Sequence, residues 1–447
     1  MTVFRYLDYR IEPQHQRLVC DYAVDDRPFR EEFRFPGDGD WTAAPVAEAA
    51  RLVFLLAGIS YYKTAAPPVI DLGNVALTDA ERDFLRSYYL NGLGEFAHIL
   101  NLNLSGLRIV GPTLDRRVPV GYAARPGRPL VPFGGGVDSI TTVDLLASRT
   151  DDAALFVVNR PDDRFDAIER PAAVTGLPIV RAERIIDDQI LRSRELGFLN
   201  GHVPVTGILS AAAVMAAVLD GRDAVVMSNE WSSSIATIDV NGRSINHQYS
   251  KSLTFERGLR MMITSSIGNG LEYFSALRPF TELWIASRFA QLDQYLDTFR
   301  SCNRAFHIDK TVRLAQWCGV CDKCCFIDLI LAPFLSRARC TQIFHGREPL
   351  EHPDAQSSKG QTNGERFRTL VGLSSGTKPW ECVGDVTECQ AAVLLAATHN
   401  DRTANPTLGT LAGELRSRGI EPEVDALLRP IGTHFIPERY AVDDLLV

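Results

Sequence analysis

Along the first forty residues apolar and polar positions alternate as they do in strands. Phe4 and Tyr6 stand against Val3, Leu7, Tyr9 and Ile11, and Leu18, Cys20 and Tyr22 follow. The period then lengthens. Apolar residues recur at helical spacing around Val46–Leu56 and Asp79–Leu100, since steps of three and four keep one helix face apolar. We read residues 1–115 as an N-terminal α+β domain. From about residue 128 short apolar runs alternate with helical patterns. Strands are expected at Leu130–Phe133, Ala154–Val158, Ile179–Arg181, Ala224–Met227 and Phe274–Leu277, with helices at Ser139–Ala147, Phe165–Thr175, Ile208–Leu219 and Thr281–Phe299. Repeated β-α-β texture predicts an α/β fold with a doubly wound parallel sheet, its ligands at the carboxyl ends of the strands. This second domain spans 116–346. The polar stretch EHPDAQSSKGQTNGERFR (351–368) reads as a linker or excursion, within a small, mostly helical C-terminal domain at 347–447.

Composition narrows the class. At 447 residues, with 45% hydrophobic and 23% charged residues, the chain is an ordinary globular protein with ample core. A net charge of −8 argues against a nucleic-acid partner, which calls for a basic face. MTVFRYLDYRIEP carries charges where a signal peptide needs an apolar run. The run Val203–Leu219 is interrupted by Thr206 and Ser210 and is too short to span a bilayer. A cytoplasmic location without a membrane partner is expected. Nine cysteines are present, five of them between Cys302 and Cys325, and such clustering suggests a metal rather than disulfides.

The first chemical signal is PFGGGVDSI (132–140), in which three glycines join an apolar strand to a helix. Backbone N–H groups and the helix dipole favour an anion at such a junction. No Gly-Lys-Ser/Thr follows, so this is no Walker A loop, and the spacing of a dinucleotide fingerprint is absent. The stretch resembles the PP-loop, Ser-Gly-Gly-x-Asp-Ser, of the ATP pyrophosphatases, matching at Gly135, Gly136, Asp138 and Ser139, with Gly134 in place of the first serine. That resemblance implies a PP-loop sheet of the adenine nucleotide alpha-hydrolase-like type. It also implies ATP cleaved to AMP and pyrophosphate, Mg²⁺ held by Asp138, phosphate contacts from Ser139, and an adenosine pocket near Val158, Asn159 and Arg160. The alternative is a plain strand-helix turn.

Cys302, Cys318, Cys321 and Cys324 are spaced C-x15-C-x2-C-x2-C. Four thiolates make a closed tetrahedral site, structural rather than catalytic, and zinc is the first choice. An iron–sulfur cluster and uncoordinated buried thiols stay open. The arrangement resembles the zinc site of the PP-loop 7-cyano-7-deazaguanine synthases. Cys325 is left over, as a reactive thiol or a small buried hydrophobe.

Three polar stretches remain: SNEWSSS (228–234), NHQYSKS (246–252) and KPWECVG (378–384). The second gathers Asn246, His247, Gln248, Tyr249, Ser250 and Lys251 with hardly an aliphatic residue. With the glycine loop and WCGVCDKCCFIDLILAPFL, the set resembles the MurL family of ATP-dependent UDP-N-acetylmuramoyl-L-alanyl-L-glutamate epimerases over essentially the whole chain. The resemblance implies inversion of the terminal L-Glu of UDP-MurNAc-L-Ala-L-Glu to D-Glu with ATP and Mg²⁺, in peptidoglycan precursor synthesis. A ligase adding L-Glu to UDP-MurNAc-L-Ala would supply the substrate. The residues themselves nominate His247 first as proton-transfer group, its free pKa being suited, and Glu230 second. Lys251 is placed on the enolate or the phosphates. Two other readings stand beside this one: a different carboxylate-adenylating PP-loop enzyme, such as a 7-cyano-7-deazaguanine synthase, and a non-catalytic zinc-stabilised nucleotide-binding protein.

Overall fold

Three antiparallel strands account for the alternating N-terminal pattern: β1 (Val3–Glu12), β2 (Arg17–Val24) and β3 (Arg27–Arg34). Phe4, Tyr6, Leu18, Cys20, Tyr22, Phe29 and Phe33 all point into the core. In this computed structural model the described residues are 2–240, 242–307, 309–358, 360–374, 378–399 and 401–441. Two short strands follow, β4 (Val69–Asp71) and β5 (Arg108–Val110), and then β6 (Pro129–Pro132), β7 (Ala154–Asn159), β8 (Ile179–Ile185) and β9 (Ala224–Met227). A hairpin of β10 (Ile238–Val240) and β11 (Arg243–Ile245) stands apart, and β12 (Glu272–Ser275) comes last.

All but the hairpin belong to one mostly parallel sheet of ten strands, ordered β12-β9-β6-β7-β8-β3-β2-β1-β4-β5. The N-terminal strands join it where β3 pairs antiparallel with β8, Phe33 opposite Arg184. Residues 1–115 therefore continue the sheet of the following region rather than closing a sheet of their own. The strand expected at Phe274–Leu277 starts two residues earlier, and the helix expected over Thr281–Phe299 stops at Phe289, followed by a 3-10 turn at Asp293–Tyr295. The polar stretch from 351 includes a capped helix, Asn363–Leu370.

The parallel strands β6, β7, β9 and β12 are buried on both faces. Val131, Leu155, Val157, Val226 and Phe274 face one core, shared with the helices Val137–Ala147 and Glu282–Phe289 and with the C-terminal helices. Leu130, Phe156, Val225 and Tyr273 face the other, under the helices Ala44–Ala57, Val205–Leu219 and Leu253–Ser266. This two-sided burial explains why these strands read as continuous apolar runs. Ala44–Tyr62 is long and apolar enough to cross a membrane by length and composition, but 78% of it is buried inside this fold.

The chain runs β6 to β7 to β8 in one direction, then returns to place β9 and β12 on the other side of β6. The order therefore reverses between β6 and β9. A crevice opens there at the carboxyl ends of the strands, the usual ligand position in a doubly wound sheet.

Candidate active site

The crevice encloses a cavity of about 440 Å³. Its floor is the end of β6 and the loop Gly134–Gly136, and its apolar wall includes Phe156, Val158, Ile168, Leu209 and Met227. Gly135 has φ +72°, and a Cβ there would lie 2.3 Å from the carbonyl oxygen of Ala167. Only glycine fits that combination of backbone and space. Gly134 has nothing within 4 Å of a Cβ, so its lack of a side chain leaves open room beside the loop. Gly136, which lines the cavity, caps the helix Val137–Ala147 without a side-chain hydrogen bond, so no cap side chain occupies the first-turn N–H groups. Asp138 and Ser139 sit in that turn and line the cavity.

Asp138 does not stand alone. Its carboxylate, with those of Glu230 and Glu282, offers oxygens that all lie within 4.8 Å of one another. Glu230 follows β9 and is 1% exposed, and its Oε2 has no hydrogen-bond partner. Glu282 opens the helix behind Thr281. Burial first, then the neighbouring Glu230, pushes Asp138 up to about 6 despite Lys251 and Lys323. Burial and the same carboxylates hold Glu282 well above the usual range. Three crowded carboxylates with an orphaned buried oxygen form a hard donor set that suits Mg²⁺.

Lys251 reaches the cavity from the 3-10 turn Tyr249–Lys251. Burial works against its charge, but Cys382, Glu230, Asp138 and Glu282 outweigh burial and keep it an ammonium. The loops carrying Glu230 and Lys251 are tied together by Arg278, which is 1% exposed. Its guanidinium pairs with Glu256 at 2.9 Å and donates to the carbonyl of Glu230 at 2.8 Å and to that of Lys251. Tyr249 turns away from the cavity to Ser87, Oη to Oγ 2.8 Å.

His247 lies behind the cavity wall rather than in it. Its Nδ1 hydrogen-bonds the Glu95 carboxylate. Burial pulls the imidazole down, but the neighbouring Cys382 and Glu95 hold it at about 9. His202 packs beside it, ring centroids 4.4 Å apart, and burial and the His247 charge push His202 down to about 4. Cys382 itself lines the cavity with Lys251 and Lys323. Burial raises its pKa, but Lys251, His247 and Lys323 outweigh burial and bring it to about 6.

Asn159 is engaged elsewhere. Its amide donates to the carbonyl of Asp163 at 3.1 Å and accepts from Arg181 at 3.3 Å, and of the three adenosine-pocket candidates only Val158 lines the cavity. Arg160 bridges to Asp163. Sequence reading passed over Glu95, Glu282, Lys323, Arg278 and Cys382. Cys382 stood inside a stretch already singled out, KPWECVG, where a lone cysteine gave no sign of its partners.

Below the cavity the sulfurs of Cys302, Cys318, Cys321 and Cys324 lie within 4.8 Å of one another, with Cys318–Cys324 at 3.6 Å and Cys321–Cys324 at 3.5 Å. Tetrahedral zinc with Zn–S near 2.3 Å sets sulfurs roughly 3.8 Å apart, so the cluster fits a four-thiolate metal. Cys325 points elsewhere, fully buried and 3.4 Å from Asn363 Oδ1.

Comparison with known proteins agrees along the chain. Residues 1–276 match the MurL N-terminal domain and residues 298–425 the MurL C-terminal domain. Three relatives carry the name UDP-N-acetyl-alpha-D-muramoyl-L-alanyl-L-glutamate epimerase. The protein of Xanthomonas oryzae pv. oryzae is 32% identical, over 98% of this chain and 95% of its own. That of Salinispora tropica is 34% identical over 99% and 95%, and that of a Micromonospora species 34% over 99% and 97%. The chain therefore belongs to the MurL family.

Proposed function

We propose that the protein epimerises the terminal L-Glu of UDP-MurNAc-L-Ala-L-Glu to D-Glu, in the cytoplasm, through an acyl-adenylate formed from ATP with release of pyrophosphate. The substrate reading is supported by three relatives of that name aligned over nearly their full length. The ATP reading is carried by one observation. The cavity at the sheet's switch point is lined by the glycine loop and by Asp138 in the first turn of the following helix, and the Asp138 carboxylate clusters with those of Glu230 and Glu282.

The chemistry explains the use of ATP. A carboxylate resists formation of a carbanion beside it, and its conversion to a neutral acyl adenylate removes that charge. If the α-proton becomes more acidic by roughly ten pK units, the barrier falls by on the order of 14 kcal/mol. In this reading the N–H groups of the first helical turn, Ser139 and Lys323 bind the phosphates. Phe156, Val158 and Ile168 receive the adenine. Asp138, Glu230 and Glu282 would hold Mg²⁺, which supplies charge neutralisation at the phosphates. Lys251, in the cavity lining, would stabilise the enolate oxygen, and water afterwards hydrolyses the adenylate to the free D-glutamyl product and AMP. The four-cysteine zinc is structural. A ligase that adds L-Glu to UDP-MurNAc-L-Ala would precede the reaction.

The test is stoichiometric. Protein, ATP, Mg²⁺ and UDP-MurNAc-L-Ala-L-Glu are incubated, nucleotides are separated, and the glutamate is analysed on a chiral column after hydrolysis. AMP and pyrophosphate appearing with D-Glu support the reading. Inversion at full rate without ATP would remove the adenylate from it.

A further inference from the structure

Outside the cavity, three metal-ligating side chains meet that belong neither to the carboxylate cluster nor to the four cysteines. Glu95, His202 and His247 offer one ligand atom each, and these atoms all lie within 4.8 Å of one another. They come from three distant segments: the short helix Gly94–Ile99, the stretch leading into the helix Val205–Leu219, and the turn after β11. Close packing brings them together. A Cβ at Gly201 would lie 2.9 Å from the ring of the fully buried Phe96, and one at Gly94 would lie 3.1 Å from Ile245. Gly94 and Phe96 flank Glu95, so each of these contacts draws one histidine segment onto it. The segments are also held from behind. Lys63 donates to Asn200 Oδ1 at 2.7 Å and to the Gly201 carbonyl at 3.2 Å. Asn246 donates to the carbonyl of Ser233 at 2.8 Å, and the backbone N–H of His247 donates to Thr237 Oγ1 at 3.0 Å.

We propose that Glu95, His202 and His247 bind a divalent transition-metal ion, zinc or one of similar preference, at a site separate from the four cysteines and from the Asp138 cluster. The hydrogen bond between His247 Nδ1 and Glu95 accounts for two of the groups but not for the third. Nδ1 of His202 stands 3.8 Å from the same Glu95 oxygen, beyond hydrogen-bond range, and the two imidazole rings are 4.4 Å apart. One cation shared by all three explains why His202 is there. Metal–ligand bonds of about 2.0–2.1 Å at tetrahedral angles set donor atoms roughly 3.3 Å apart. His202 and Glu95 are close to that spacing, and the His247–Glu95 pair opens to admit the ion. Two imidazoles with one carboxylate favour a borderline transition metal, whereas an all-oxygen set favours Mg²⁺. Three protein ligands leave a four-coordinate ion one position for water. The His202 side chain is 25% exposed, against 11% for His247 and 9% for Glu95, so the site opens to solvent on the His202 side. The bound ion would brace the turn that leads from His247 to Lys251 in the cavity lining.

The test uses the full-length protein with zinc in its cysteine site, and cobalt(II) as the probe, without ATP or substrate. Wild type should take up one further equivalent of cobalt. Its visible d–d absorption should come without a thiolate-to-cobalt charge-transfer band, because the donors are nitrogen and oxygen. Elemental analysis of the zinc shows that the cysteine site is untouched. His202→Ala should weaken cobalt binding at least about a hundredfold and Glu95→Gln at least about tenfold, with zinc content unchanged. Asp138→Asn should stay within about threefold of wild type. Uptake that survives His202→Ala but disappears in Asp138→Asn would place the ion in the carboxylate cluster and overturn the proposal. A wild-type protein that takes up no further equivalent, or takes one up with thiolate charge transfer, overturns it too. Paramagnetic shifts of two histidine ring resonances in wild type give a reading that needs no substitution. Their presence supports the site, and their absence with cobalt bound overturns it. AMP release and inversion enter none of these measurements, which keeps this site separate from the acyl-adenylate reading above.

Discussion

Asn303 donates a hydrogen bond of 2.8 Å to the carboxylate of Glu381. Asn303 adjoins Cys302 of the metal cluster, and Glu381 adjoins Cys382 of the cavity. The metal site and the thiol are therefore one hydrogen bond apart along the chain. An exposed bond of this kind contributes only about 1 kcal/mol to stability, but it sets the position of the cysteine loop. Asn303→Ala should cost about 1 kcal/mol or less in a denaturant melt, and a loss above about 3 kcal/mol would show that this bond holds more of the fold than an exposed contact does.

The metal itself should copurify at about one zinc per chain. A closed site of four thiolates contributes folding free energy, so Cys318→Ser should lose zinc and thermal stability together. Elemental analysis gives the content and calorimetry the midpoint. Iron with sulfide, or no metal at all, would contradict a structural zinc.

In the glycine loop two neighbouring positions should respond in opposite ways. Gly135→Ala places a methyl 2.3 Å from the Ala167 carbonyl at φ +72° and should destabilise by about 2 kcal/mol or more. A Cβ at Gly134 meets nothing within 4 Å, so Gly134→Ala should change stability by less than about 0.5 kcal/mol. Paired urea melts decide it.

Much of the sheet was legible because burial on both faces writes strands as apolar runs between turn residues, as at Leu130–Phe133 and Ala154–Val158. Strand pairing was not legible. The contact of Phe33 with Arg184 joins segments that no local pattern connects, so the N-terminal strands looked like a domain of their own. The helix expected to run to Phe299 stops at Phe289, although no glycine or proline marks the end and the apolar spacing continues. Of the site, the glycine loop and the four cysteines announced themselves by spacing. His247 stood out through its polar stretch, but Glu95 and Cys382 did not, because their place near it depends on the tertiary fold and each residue type is common alone.

Arg278 should be among the costliest single positions. It is buried with Glu256 at 2.9 Å and spans the Glu230 and Lys251 loops. Arg278→Met would leave Glu256 buried without its partner, and removal of one member of such a pair costs roughly 3–5 kcal/mol. A chemical melt should register that loss, and a change under 1 kcal/mol would mean the network is redundant.

The thiol of Cys382 should show its environment directly. Its pKa lies near 6, below the ordinary thiol, so thiolate accumulates as pH rises through about 6. Iodoacetamide at pH 7 should therefore label the Cys382 peptide well ahead of those of Cys20, Cys325, Cys340 and Cys389, whose thiols are held up by burial. Labelling should fade as pH falls below 6. Labelling that appears only above about pH 8.5, the free-cysteine range, would contradict a thiolate at neutral pH.

The dependence of proton exchange on ATP tests the account as a whole. UDP-MurNAc-L-Ala-L-Glu is incubated with the protein in D₂O, with and without ATP and Mg²⁺, and the terminal glutamate is examined by mass spectrometry. The account predicts deuterium at the α-carbon only when ATP and Mg²⁺ are both present, and poor exchange of free L-Glu, which lacks the UDP-muramoyl portion that positions the carbon. Exchange at the same rate without ATP would contradict it.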